Sequence, residues 1–119
     1  MKKNIQKIQQ FRDENKKITV LTAYDYSTAK YFDEAGVDII LIGDSLAQVV
    51  LGYDKTSDIS MNEMQIFTSA VARGVKNALV VADMPFMSSQ IDKSKTIENA
   101  LLLIKAGANF ASSPKRINI

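Results

Sequence analysis

One pattern recurs along this chain and limits what it can fold into: an amphipathic stretch, a glycine, a short apolar run, then an aspartate. It occurs twice in full, from Gly36 through Val37-Asp38-Ile39-Ile40-Leu41-Ile42 to Asp44, and from Gly74 through Ala78-Leu79-Val80-Val81-Ala82 to Asp83. A weaker first copy, Ile18-Thr19-Val20-Leu21-Thr22-Ala23, leads to Asp25, and Gly107-Ala108-Asn109-Phe110 begins a fourth. Short β-branched runs between turn residues predict strands, and the continuous run Ile39–Ile42 predicts burial on both faces. Strand-helix-strand order at this spacing predicts βα units, right-handed crossovers and a parallel sheet. After Phe110 the pattern breaks, because Ala111-Ser112-Ser113-Pro114 brings no apolar run and proline suits a central strand poorly. The expectation is an α/β fold in one domain, 1–119, with a leading helix, three βα units, the start of a fourth strand and a divergent tail at 110–119.

The helices have their own signals. Ile5, Ile8 and Phe11 recur every three residues in the leading segment. Ala29, Phe32 and Ala35 share one face of the next helix, and Gly36 follows as a left-handed C-cap. Ser60-Met61-Asn62-Glu63 is a capping box, with Met64, Phe67, Ala70 and Val71 as the stripe behind it. Ile97, Ala100, Leu101 and Ile104 mark a last helix, ended by Gly107. These amphipathic stripes predict core packing. Ala47 to Leu51, inside the long Gly43–Ser60 loop, reads as a short helix or an extended piece.

Composition then narrows the chemistry. The chain contains no cysteine and no histidine, so a thiolate or imidazole metal site, a Cys nucleophile and a Ser-His-Asp triad are excluded for it. A metal bound here has all-oxygen ligands, which favours Mg²⁺, Mn²⁺ or Ca²⁺ over zinc. Fifteen basic against thirteen acidic residues leave a net charge of +2, which builds no field for nucleic acid or an anionic membrane. No apolar run approaches a membrane span, and no apolar segment follows the basic start, so no secretory signal is expected. The glycines form neither G-x-G-x-x-G nor a P-loop.

In parallel α/β folds, ligands bind at the carboxyl ends of the strands. Asp25, Asp44 and Asp83 all fall there. Adjacent strands lie about 4.8 Å apart, so carboxylates on neighbouring strand ends can share one cation. Without it the pair repels and one pKa rises. Asp44 and Asp83 are the stronger pair, since each ends a strongly apolar run. The alternative is structural: aspartates after strands also cap the next helix, and Asp25 fits that use well. Ser45 can likewise be a turn or cap residue, Tyr24 a core tyrosine, and Pro85-Phe86-Met87 either pocket lining or packing. Lys55, Lys76, Lys93 and Lys95 read as solvated surface.

Four motifs in order, Thr22-Ala23-Tyr24-Asp25, Gly43-Asp44-Ser45-Leu46, Val49-Val50-Leu51-Gly52-Tyr53-Asp54 and Ala82-Asp83-Met84-Pro85-Phe86, resemble the ketopantoate hydroxymethyltransferase family from about residue 4 to Asn109. The resemblance implies a (β/α)₈ TIM barrel, of which this chain carries the amino-terminal portion. It implies a cytoplasmic, decameric enzyme that transfers a hydroxymethyl group from 5,10-methylenetetrahydrofolate to 3-methyl-2-oxobutanoate. The product is ketopantoate, for pantothenate biosynthesis. It makes Asp44 and Asp83 ligands of Mg²⁺, sets Ser45 with both aspartates against the keto acid, and makes Tyr24 a lining residue. An enolate stabilised by the cation fits the all-oxygen composition.

The chain also departs from that family. The family's fourth strand continues with a Val-Lys-Ile-Glu-like run whose Lys contacts substrate and whose Glu supports the metal, and neither has a counterpart after Phe110; Lys115 does not stand in. The family's catalytic Glu base belongs to the barrel's second half. Ala47 replaces the last glycine of a Gly-Asp-Ser-Leu-Gly motif. A shifted reading frame or early stop after Asn109 is the expectation, which the downstream coding DNA tests. Open sheet edges predict a chain that self-associates or pairs with another. The competing readings are a non-catalytic remnant or interaction module of the same fold, and an enzyme of the phosphoenolpyruvate-mutase/isocitrate-lyase type.

Overall fold

The computed structural model describes residues 2–85 and 93–112. Four parallel strands, β1 (Val20–Thr22), β2 (Ile39–Ile42), β3 (Leu79–Asp83) and β4 (Phe110–Ser112), lie in the spatial order β1-β2-β3-β4. Between and before them run α1 (Ile5–Asp13), α2 (Tyr26–Glu34), the short α3 (Leu46–Val49), α4 (Met61–Gly74) and α5 (Lys93–Ala106), with a 3₁₀ turn at Thr56–Asp58. A doubly wound sheet reverses its strand order and takes helices on both faces. Here the order never reverses, and α2 packs on α4 and α4 on α5. Successive right-handed crossovers in that order lay the helices in one layer, which is an arc of a (β/α)₈ barrel.

Burial alternates along the strands. Ile40, Ile42, Val80 and Ala82 are almost fully buried beneath the helix layer, together with Met64, Val71 and Leu103. Ile39, Leu41 and Val81, on the opposite face, are only partly buried. Burial of the Ile39–Ile42 run on both faces is therefore corrected: one face is covered by the helices, and the other is buried only in part among the described residues. β1 is exposed along its whole length, with Val20 at 51% and Leu21 at 43%, and Phe110 on β4 is 41% exposed. Each of these strands has a neighbour on one side only among the described residues.

The elements begin and end where local chemistry dictates. Ser60 and Glu63 form the reciprocal capping box on α4. Gly36, at φ +92°, closes α2, and the Val37 amide behind it donates to the Phe32 carbonyl. Ala35 stands at the C-cap and is exposed rather than on the buried face. Ala47 lies in helix, which decides between the two readings of that segment. β1 and β2 are shorter than their apolar runs: Thr19 and Ala23 still bond β2 or its flank, and Asp38 has another task.

The apolar stripe of α5 needs correction. Ile97, Leu101 and Ile104 are 56%, 57% and 41% exposed, and Asn99 and Leu103 are the buried residues. Helical periodicity marks an apolar face without saying what covers it, and α5 meets α4 and β4 with its other side. Most of the 110–119 tail, and residues 86–92, lie outside the described residues, whereas 110–112 form β4.

Two buried aspartates that sequence patterning passed over tie the opposite, amino-terminal end of the sheet. Asp33, 5% exposed, accepts hydrogen bonds from the amides of Lys76, Asn77 and Ala78 at 2.8–3.3 Å and so anchors the entry to β3. The Lys2 ammonium and Lys3 amide reach the Ala78 and Asn77 carbonyls at 2.5 and 2.6 Å. Asp38 accepts from the Thr19 amide and hydroxyl and lies 3.6 Å from Lys3. Burial by itself pushes the Asp33 carboxyl up; the three amide donors, then the Lys2 charge, outweigh it and hold the group below the ordinary carboxylate value. A depressed folded pKa means that its contribution is present above the unfolded value and is lost as pH falls through the folded one. Asp33→Asn is expected to cost about 2–3 kcal/mol at neutral pH, by stranding a buried amide, and to flatten the loss of stability below about pH 4; urea titrations across pH check both.

The exposed β1 edge, Phe110 and the α5 stripe give a second expectation. The 119-residue chain should self-associate and bind an apolar dye. A monodisperse monomer by light scattering, dark to the dye, contradicts it.

Candidate active site

Strand register brings the sequence-predicted residues to one rim. Asp83 pairs with Ser112 directly. One step on from Ile42↔Ala82 sets Gly43 beside Asp83, and two steps on from Thr22↔Leu41 sets Tyr24 beside Gly43. Residues paired in a parallel sheet project to the same face. Tyr24, Gly43, Asp83 and Ser112 therefore form one transverse row, at the carboxyl ends of the strands and on the face turned away from the helices.

A tight turn after β2 adds the next residues. The Leu46 and Ala47 amides donate to the Gly43 and Asp44 carbonyls at 3.2 and 3.0 Å, which folds Asp44 and Ser45 back over the rim. The Tyr24 hydroxyl and Ser45 Oγ lie 2.7 Å apart. Ser45 occupies the cap position of α3 yet makes no capping hydrogen bond, so its hydroxyl serves the tyrosine instead. The Asp44 amide donates to Asp83 Oδ2 at 3.3 Å, joining the two strand ends through main chain and carboxylate. Asp25 stands apart from this group: its carboxylate takes the Thr28 amide at 2.7 Å and the Thr28 hydroxyl at 3.1 Å, as an N-cap does. Pro85 is buried beside the rim; Phe86 and Met87 lie outside the described residues. Lys55, Lys76, Lys93 and Lys95 are all exposed.

Burial raises the Asp44 carboxyl above the ordinary aspartate value, against a smaller opposing effect of its own amide. The cause is lost hydration, where simple repulsion between two carboxylates was the expectation. Such a site gains from a hard cation. Among the described residues no group of three or more acidic side chains converges. Two carboxylates and a hydroxyl suit Mg²⁺, which is held by one or two carboxylates and completes its octahedron with water and ligand oxygens. Asp44 and Asp83 would hold it, and the donor set contains nothing softer than oxygen.

The sequence motifs missed the part played by Gly43 and the Asp44 main chain. Counting residues outward from the ends of the apolar runs was the signal that could have found them.

An all-parallel βα arc whose carboxylates and hydroxyls gather at the carboxyl-end rim is the architecture of a (β/α)₈-barrel enzyme. Solved structures agree on the fold. A phosphonopyruvate hydrolase, crystallised with oxalate and Mg²⁺, matches with a TM-score of 0.68 at 21% identity, over 91% of this chain and 37% of its own. The phosphoenolpyruvate phosphomutase of Streptomyces platensis also scores 0.68, at 17% identity over 85% and 34% of the two chains. Sequence goes further. Residues 2–111 match the model of the ketopantoate hydroxymethyltransferase family, and the chain belongs to that family. The 3-methyl-2-oxobutanoate hydroxymethyltransferase of Acetivibrio thermocellus is 55% identical over 96 residues, 81% of this chain and 34% of the relative. That of Clostridium novyi is 51% identical over 111 residues, 93% and 40% of the two. The chain thus spans between a third and two fifths of the length of these relatives. Among the described residues, no helix is long and apolar enough to cross a membrane.

The state of Asp44 makes a pH-linked prediction. Its raised folded pKa means that ionising it costs the folded state, and the cost grows as pH rises from the ordinary aspartate value through the raised one. Asp44→Asn should therefore raise Tm by a few degrees at most at pH 7 in chelator. Mg²⁺ should raise the Tm of the unsubstituted chain and leave Asp44→Asn unmoved, as binding linkage requires. Thermal melts at pH 4 and pH 7, with and without Mg²⁺, check the sign of each effect.

Proposed function

We propose that the rim formed by Tyr24, Asp44, Ser45 and Asp83 binds 3-methyl-2-oxobutanoate together with Mg²⁺. The reaction is hydroxymethyl transfer from 5,10-methylenetetrahydrofolate, which yields ketopantoate for pantothenate biosynthesis in the cytoplasm. The observation that carries the reading is the joined pair of contacts at the rim, Tyr24 to Ser45 and the Asp44 amide to Asp83, within a chain of this family. Solved barrels of the same fold lend a precedent, since one of them holds oxalate with Mg²⁺.

Asp44 and Asp83 would hold the cation, which would supply Lewis-acid stabilisation of negative charge on the keto oxygen. The protein's own share is binding and orientation. The Asp44 amide holds Oδ2 of the Asp83 carboxylate at the rim. The Tyr24 hydroxyl holds Ser45, so that a Ser45 hydroxyl bond to the substrate carboxylate costs little rotamer entropy. Partial burial of Asp44 strengthens its grip on a cation by removing competing water. Abstraction of the C3 proton falls to a base outside this set. The open edges of β1 and β4 support assembly with further βα units, from a second copy or another polypeptide.

Calorimetry of the 119-residue chain with 3-methyl-2-oxobutanoate should show binding that requires Mg²⁺ and weakens at least tenfold in Asp83→Asn. Deuterium exchange at C3 of the bound acid then separates a catalytic chain from a binding remnant. Binding of a C4 diacid in place of the branched oxo acid would instead favour the phosphoenolpyruvate-mutase reading, and no Mg²⁺-dependent binding of either rejects the site.

A further inference from the structure

The chain has five glycines, and four have a reason within the fold. Gly36, Gly52 and Gly107 adopt φ of +92°, +76° and +126°, a region costly for any side chain. Gly74 lets α4 approach α2 so closely that a Cβ would stand 2.7 Å from the Tyr26 carbonyl oxygen. Gly43 has neither reason. Its φ lies outside the left-handed region, and an added Cβ would meet its nearest neighbours at ordinary van der Waals distances. Those neighbours are Asp83 Oδ2 at 3.6 Å, Ser45 Oγ at 3.6 Å and Leu41 Cδ2 at 4.0 Å. Alanine there would also reduce the entropy of the unfolded chain, worth about 0.4–1 kcal/mol of stability. The fold forgoes that gain at one buried position, in the middle of the rim row and between its carboxylate and its hydroxyl.

We propose that Gly43 is a positioning residue whose missing Cβ leaves a notch for the oxygen-bearing head of a bound 2-oxo acid. The notch offers a carboxylate oxygen, a hydroxyl and a methyl wall. A head group resting over the Gly43 α-carbon lies beside both the Ser45 hydroxyl and the Asp83 carboxylate, where a cation held by that carboxylate would offset the charge of the acid; a methyl at position 43 lifts the head group away from both. This deepens the reading of the site given above and rests on it.

The test is Gly43→Ala in the 119-residue chain, with Tm measured beside calorimetric binding of pyruvate, 3-methyl-2-oxobutanoate and oxalate in Mg²⁺. Expected is an unchanged or slightly higher Tm and roughly tenfold or weaker binding, by the same factor for all three ligands because they share the head and differ beyond it. Equal binding by the variant and the unsubstituted chain overturns the inference alone. A Tm lowered by several degrees also overturns it, since the glycine then has a packing role. If the unsubstituted chain binds none of the three, the site reading fails and takes the inference with it. Mg²⁺-induced Tm shifts in both proteins separate loss of the oxo acid from loss of the cation: the inference expects the shift to survive in Gly43→Ala, and its disappearance counts against the notch.

Discussion

The carboxylate side of the rim depends on the parallel register between β2 and β3, as its hydroxyl side depends on that between β1 and β2. Ile42 sits opposite Ala82, so the next residue on each strand, Gly43 and Asp83, meet at the sheet's carboxyl end. The Asp44 amide then reaches the Asp83 carboxylate, and the turn into α3 brings Ser45 under the Tyr24 hydroxyl. A slip of one residue would send Asp83 to the helix side and break its contact with the Asp44 amide. What prevents the slip is burial. Ile40 and Ile42 are fully buried beneath the helices, as are Val80 and Ala82, and moving any of them to the other face would exchange buried apolar area for partly exposed area.

The two ends of the sheet divide the work. At the amino end, Asp33 and Asp38 are fully engaged by main-chain amides and lysines and fix where β1, β2 and β3 begin. At the carboxyl end, Asp44 keeps a carboxylate that burial makes harder to ionise. A charge satisfied by hydrogen bonds stabilises the fold; one that is partly desolvated and short of donors favours binding something positive. That contrast separates Asp33 and Asp38 from Asp44, and it supports the proposal of a cation at the carboxyl end of the barrel arc.

The sequence showed the βα order, the capping box and the strand-end aspartates because each is a local pattern: an apolar run, a cap and a helix stripe are read from neighbours in the chain. It did not show Asp33, although that residue lies one helical turn beyond Ala29 on the face that α2 buries, where a charge needs partners. Its partners lie more than forty residues away, beyond local pattern. Ile97, Leu101 and Ile104 erred in the other direction, because their periodicity is clear and the element that would cover them is not a property of α5. The hydrogen bond between Tyr24 and Ser45 crosses from β1 to the β2–α3 turn, so only register could join the two motifs that resemblance had set side by side.

Site-resolved detection of the cation tests the central claim most directly. Mn²⁺ titrated into ¹⁵N-labelled protein broadens the amide resonances near its binding site. The account predicts selective broadening of Gly43, Asp44, Ser45 and Asp83, with the amides around Asp33 and Asp38 at the other end of the sheet left sharp. Broadening centred on Asp33 and Asp38, or spread evenly over the acidic surface, contradicts it.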